Sequence, residues 1–235
     1  MNVFIKKPLR RASYIVIGVL TLVVISSIAF AVSPIRDLLF SAGQENAALQ
    51  TDEGDKIVAT VNGEPIMQST IARSRILSQA VIESNRLLLE QQTFLTEEEL
   101  AAAHKQLAAP SEEEVLQKSI RLRVCLQEAA KLGIEITDAQ VDAYFENMEK
   151  VKQMADPETL KFAEGAIQAY CDGLGLTREE YHHLYEFEGI RDQLAIERLN
   201  EQFLSTLPDN TDATPLLAAY LEELVAKADV KILLD

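Results

Sequence analysis

The sequence predicts a mainly helical fold with one small β-sheet, and three observations predict it. "KIVATVNGEPI" (Lys56–Ile66) sets two short β-prone runs on either side of an Asn-Gly pair, the pattern of a tight hairpin. Nearly everything after it is punctuated by helix-start signals. The closing "DVKILL" (Asp229–Leu234) is the one other good strand candidate. An isolated hairpin is marginal in water, and a lone strand leaves its backbone groups unpaired. The N-terminal hairpin and the C-terminal strand are therefore expected to meet in one sheet, with the helices between them.

The helices follow in order. Thr96 with Glu99, Ser111 with Glu114, Thr137 with Gln140 and Thr177 with Glu180 have capping-box spacing. Asp156-Pro157 and Thr214-Pro215 place a cap before a Pro at the first helical position. Gly133 and Gly173/Gly175 lie where helices should stop. These signals predict helices near 68–92, 96–107, 112–132, 138–154, 157–172, 178–205 and 215–227. Val141, Phe145, Met148 and Val151 form a stripe on the fourth of these. Tyr181, Leu184, Tyr185, Leu194, Leu199 and Phe203 mark the 178–205 helix. Both read as amphipathic faces that pack on neighbours.

The front of the chain is different. Residues 1–12 form a basic flank, and Ser13–Val32 then runs without a charge. Twenty residues at about 1.5 Å each match a hydrocarbon core of about 30 Å. Two readings compete: a transmembrane anchor at 13–33, or a signal segment cleaved after Ala31 in Ala29-Phe30-Ala31. The length of the apolar run favours the anchor. Either way the basic flank stays inside, and the rest lies on the extracytoplasmic face of a bacterial cytoplasmic membrane. Residues 34–55, including the polar, aperiodic Ser41–Asp55, read as a tether, leaving 56–235 as the folded module.

Charge narrows the choice of partners. The chain has 22 basic and 37 acidic residues, and all four charges in the first 33 residues are basic. The body therefore carries a net charge of −19, which should repel nucleic acid and anionic headgroups.

Little in the sequence asks for chemistry. Cys125 and Cys171 could form one bridge or pack as two buried thiols. Glu179 to His182 and Glu180 to His183 have the Glu-x-x-His spacing of di-iron bundles. A di-iron site needs two such motifs and two further Glu, and adjacent histidines on a helix point about 100° apart. No metal site or other cofactor is expected. There is no Gly-x-Ser-x-Gly elbow and no phosphate-binding glycine loop, and the acidic pairs sit in first helical turns, where they favour the helix dipole.

Four stretches carry a resemblance. "IVATVNGEPIMQSTI", "LRVCLQEAAKLGIEITDAQVDAYF", "GLTREEYHHLYEFEGIRDQLAIERL" and "YLEELVAKADVKIL" are similar, in this order, to the chaperone module of SurA- and PrsA-type extracytoplasmic foldases. The resemblance spans about residues 56–235. It implies a helical module whose C-terminal helix and strand fold back on the N-terminal hairpin. In members with prolyl isomerase activity, a parvulin domain lies between the last two helices. Here that interval is Thr206–Pro215, too short for any domain of ordinary size. The resemblance therefore implies a non-enzymatic, membrane-anchored holdase that binds unfolded exported polypeptides. The alternative is a scaffold that holds one specific envelope or secretion partner. Homodimerisation stays open. Met67, Ile71, Met148 and Met154 are the residues assigned to client contact, since thioethers and aliphatic groups adapt to varied apolar partners.

Overall fold

A computed structural model describes residues 32–49, 54–90, 96–208 and 212–233. The hairpin forms as expected. β1 (Ile57–Val61) and β2 (Glu64–Met67) pair antiparallel, with Val61 opposite Glu64. Asn62 (φ 50°) and Gly63 (φ 88°) take the left-handed conformations that a two-residue hairpin turn requires. β3 (Val230–Ile232) pairs antiparallel with β1, giving the order β2-β1-β3. The hairpin and the C-terminal strand do close one sheet. Asn62 is the joint: its backbone N–H donates to the Asp229 carbonyl (2.9 Å), and its side-chain Oδ1 accepts from the Asp229 N–H (2.8 Å). Its Nδ2 donates to Gln127 Oε1 (2.7 Å), and Gln127 Nε2 donates to the Val61 carbonyl (3.1 Å).

The first helix is one that sequence reasoning missed. α1 (Val32–Ala48) occupies most of the segment assigned to a tether. Ile35, Leu39, Ala42 and Asn46 are buried, and α1 lies against α2 (Gln68–Glu90) and along α6 (Pro157–Leu174). The apolar positions 35, 38, 39 and 42 have helical spacing, but the polar residues from Ser41 onward conceal it. Burial of Ile35 and Leu39 stabilises the fold by about 1.5–3 kcal/mol each. The expected anchor at 13–33 falls almost wholly outside the described residues. Among those described, no helix is long and apolar enough to cross a membrane.

α1 and α6 run parallel and touch backbone to backbone. A Cβ on Gly173 would lie 2.1 Å from the Phe40 carbonyl oxygen, and one on Gly43 would lie 2.4 Å from that of Tyr170. Gly173 is therefore not the helix stop that the sequence suggested. It lies inside α6, which ends at Gly175 in the left-handed conformation (φ 73°).

The other helices keep close to their expected bounds: α3 (Glu97–Gln106), α4 (Glu112–Lys131) and α5 (Asp138–Lys152). α7 (Arg178–Tyr181), a π-helical turn (His182–Glu186) and α8 (Phe187–Leu204) form the expected long helix, and α9 (Ala213–Lys227) follows. The capping boxes at Thr96, Ser111 and Thr177 are formed, and Asp156 accepts from the Thr159 N–H at 2.9 Å. The last cap differs. α9 is capped by Asp212, whose Oδ1 accepts from the Thr214 N–H (3.3 Å), so Pro215 falls inside the first turn of the helix rather than at its first position.

Three apolar clusters hold these parts together. One joins α1, α6 and the second half of α2 through Ile35, Leu39, Ala80, Phe162 and Tyr170. A second joins the sheet to Ile71, Val115, Ile120 and Val124. The third joins Cys125 and Ala129 of α4 to Leu199 of α8, with Tyr220 and Leu224 of α9 against them. α2 thus runs from the second cluster to the first, and the 178–204 helix runs from the first, through Tyr181, to the third.

Candidate functional site

A partly covered apolar face lies on α5. Helical geometry at about 100° per residue places Phe145 and Met148 within about 40° of Val141. Val141 is fully buried, and α8 is the main neighbour of α5. Beyond Val141 the cover thins. Phe145 and Met148 are half-buried, Val151 is 52% exposed, and Met154, in the turn after the helix, is 87% exposed. The amphipathic stripe is real, but only its first turn is core. Leu184, on the π-helical turn, is also exposed (59%), but it lies two residues after His182, about half a turn round the helix from the side that meets Phe145.

The π-helical turn fixes where this face begins. The His182 ring stands edge-on to Phe145, with centroids 4.5 Å apart, and the Phe187 ring lies 6.3 Å from that of His182. Arg178 grips Glu186 with two bonds of 2.7 and 2.8 Å, and His182 Nδ1 lies 3.2 Å from the same carboxylate. Burial disfavours the Arg178 cation, but the hydrogen bonds and charge of Glu186 outweigh it and raise the pKa of the guanidinium. One extra residue per turn shifts the face of a helix by about 100°. The π segment thus lets Tyr181 pack edge-on to Tyr170 (5.8 Å) while Leu199 faces α4.

Several of the charged groups near this face are already engaged with one another. Glu186 is engaged by Arg178, and Glu180, one of the two Glu-x-x-His carboxylates, accepts from the Thr177 N–H (2.7 Å) in the capping box. Among the described residues, no three His, Cys, Asp or Glu side chains group to hold a metal. Cys125 and Cys171 are free, buried thiols in different parts of the fold, and burial pushes both pKa values up. A raised thiol pKa keeps the unreactive protonated form. Burial likewise raises the phenol pKa of Tyr181 and of Tyr170, and for Tyr170 the hydrogen bond from Asn46 Nδ2 (2.7 Å) partly offsets it.

The four residues assigned to client contact do not form one surface. Ile71 is 2% exposed and packs in the cluster beneath the sheet, so it cannot meet a client in the folded protein. Met67 ends β2 opposite Ile57 and is half-buried. Met148 and Met154 lie on α5 and in the turn after it. Sequence reasoning missed Phe145 and Leu184 as surface groups, because their helical spacing looked like ordinary core. The signal that separates them from core is the packing partner, which periodicity does not carry.

No curated protein matches the chain in sequence. A family model, the SurA-like N-terminal domain, matches residues 7–200. It begins well before the hairpin and takes in α1, so the helix that looked like a tether is part of the domain. This match over most of the chain shows that the chain belongs to the SurA-like N-terminal domain family.

Proposed function

We propose that this chain is a membrane-anchored extracytoplasmic holdase that binds unfolded segments of exported proteins through the open part of the α5 face. The observation that carries this reading is the half-covered stripe on α5. Phe145 and Met148 continue a core face past the end of its cover, and exposed apolar surface of this kind marks an interaction site. Met148 is adaptable, and Val151 one turn on continues the apolar face with 52% of its surface exposed. The acidic body keeps the complex dispersed and favours clients with basic residues near their apolar segments. No isomerase chemistry is assigned, since α8 and α9 are joined by a short connection and not by a domain.

The full chain is expected to suppress aggregation of a chemically unfolded model client, with no turnover of a prolyl peptide. Met148→Asp and Val151→Asp together should weaken suppression by about tenfold in the protein needed, the equivalent of losing about 1.4 kcal/mol of binding. Both side chains are at or near the surface, so the thermal transition should move little. Unchanged suppression would show that clients do not bind through the α5 face. A wild-type chain that suppresses nothing but forms a saturable complex with one envelope protein would establish the scaffold reading instead.

A further inference from the structure

We propose that the α5–α6 turn is a membrane-surface contact, in which Val151 and Met154 lie in the interfacial layer of the bilayer. The inference rests on the anchor reading of Ser13–Val32. Three observations lead to it.

The first is direction. α1 and α6 are parallel: Arg36 lies over Gly165, while Phe40 and Gly43 lie over Gly173. The start of α1 is therefore at the same end of the molecule as the start of α6, just after the α5–α6 turn. The second is the close succession of run and helix. The uncharged run of the sequence ends at Val32, and three residues on Ile35 of α1 is already buried in the body. A span that ends there holds this end of the body within a few residues of the headgroups. The third is the turn itself. Met154 (87%) is the most exposed large apolar side chain among the described residues, and Val151 (52%) is close to it in the chain. Lys150 and Lys152 flank Val151, and Lys161 and Arg36 lie farther along the same end.

Apolar tips flanked by long cations suit an interface, because lysines reach headgroups while their stems and neighbours stay apolar. The acidic groups at this end, Glu149, Asp156, Glu158 and Glu164, balance the cations: Glu149 pairs with Lys152 and Asp156 caps the Thr159 N–H, so the contact rests on the apolar tips rather than on net charge. Two side chains do not hold a protein on a bilayer. They orient one that is already anchored, and they set the Phe145–Met148 face close to the membrane, where an exported chain emerges.

The test uses the full chain in vesicles of phosphatidylcholine with a minority of phosphatidylglycerol. Met154→Cys carries an environment-sensitive fluorophore. Leu122→Cys is the control, on α4 between Arg121, which pairs with Glu222 of α9, and Arg123, which pairs with Glu64 of β2. The native thiols are buried and escape labelling of the folded protein. Nitroxide-labelled lipid is expected to quench the probe at 154 severalfold more than at 122, and aqueous iodide to do the reverse. Equal quenching at both positions in a chain that floats with the vesicles would overturn the contact and leave the anchor standing. A chain that does not float would overturn the anchor, and the contact with it.

Discussion

Replacing Gly173 by Val is expected to separate α1 from α6 and to lower the stability of the whole module. Even a bare Cβ at this position would sit 2.1 Å from the Phe40 carbonyl oxygen and 3.0 Å from the Gly43 Cα. The obstacle is backbone on a helix, so no side chain can rotate aside to make room. The helices must move apart, and they take with them the packing of Ile35 and Leu39 against Phe162 and Tyr170. Overpacking alone costs about 1–3 kcal/mol. Because that packing loosens as well, we expect about 3 kcal/mol or more, and a Tm lower by about 6–12 °C for a domain of this size. Gly189→Ala is the control. A Cβ at Gly189 meets nothing within 4 Å on α8, so Ala there should stabilise by about 0.5–1 kcal/mol through helix propensity. Thermal unfolding of the two variants separates steric closure from propensity. Equal, small shifts would mean that α1 does not pack where it is placed.

Ending the chain after Ala228 is expected to produce the second large loss, and a local one. It removes β3, both Asn62–Asp229 bonds and the Leu233 N–H to Val58 carbonyl bond (2.8 Å). Ala59 and Val61 of β1 are fully buried, so they would lose cover as well as hydrogen bonds. At about 0.5–1.5 kcal/mol for each hydrogen bond, the total loss is about 3–5 kcal/mol once the packing of Val230 is included. Hydrogen exchange should accelerate first at β1, β2 and the start of α2. The α1–α6 pair, which belongs to a separate apolar cluster, should keep its protection. Uniform acceleration across the chain would contradict the division into clusters. Unchanged exchange in β1 would contradict the closure.

The contrast between these two features shows what the sequence carried. Closure of the sheet was legible because the demand is local and absolute: the strand at Val230–Ile232 needs a partner, and the hairpin was the one in view. Helix starts were legible for the same reason, since a capping box such as Ser111–Glu114 is written within four residues. α1 was not legible because its buried face is narrow and partly polar. Asn46 is 2% exposed and bonds to Tyr170, 124 residues away, and Gly43 is there for a helix crossing rather than a turn. The π-helical turn has no sequence signature at all, since it arises where one helix must face two clusters. The candidate site was half legible. The α5 stripe was found by its period, but where its cover ends depends on α8. Ile71 shows the converse error, an apolar residue assigned outward that the sheet buries.

Photocrosslinking from the α5 face to an unfolded client tests the proposed holdase most directly. A photoreactive residue at 148 is compared with one at Leu122, which is 43% exposed on α4 and so equally reachable by a client that binds without preference. Strong, saturable adducts are expected from position 148, competed by excess unlabelled client, with weak adducts from 122. Equal yields at the two positions, or adducts at 148 that competition does not reduce, would contradict a client-binding face on α5.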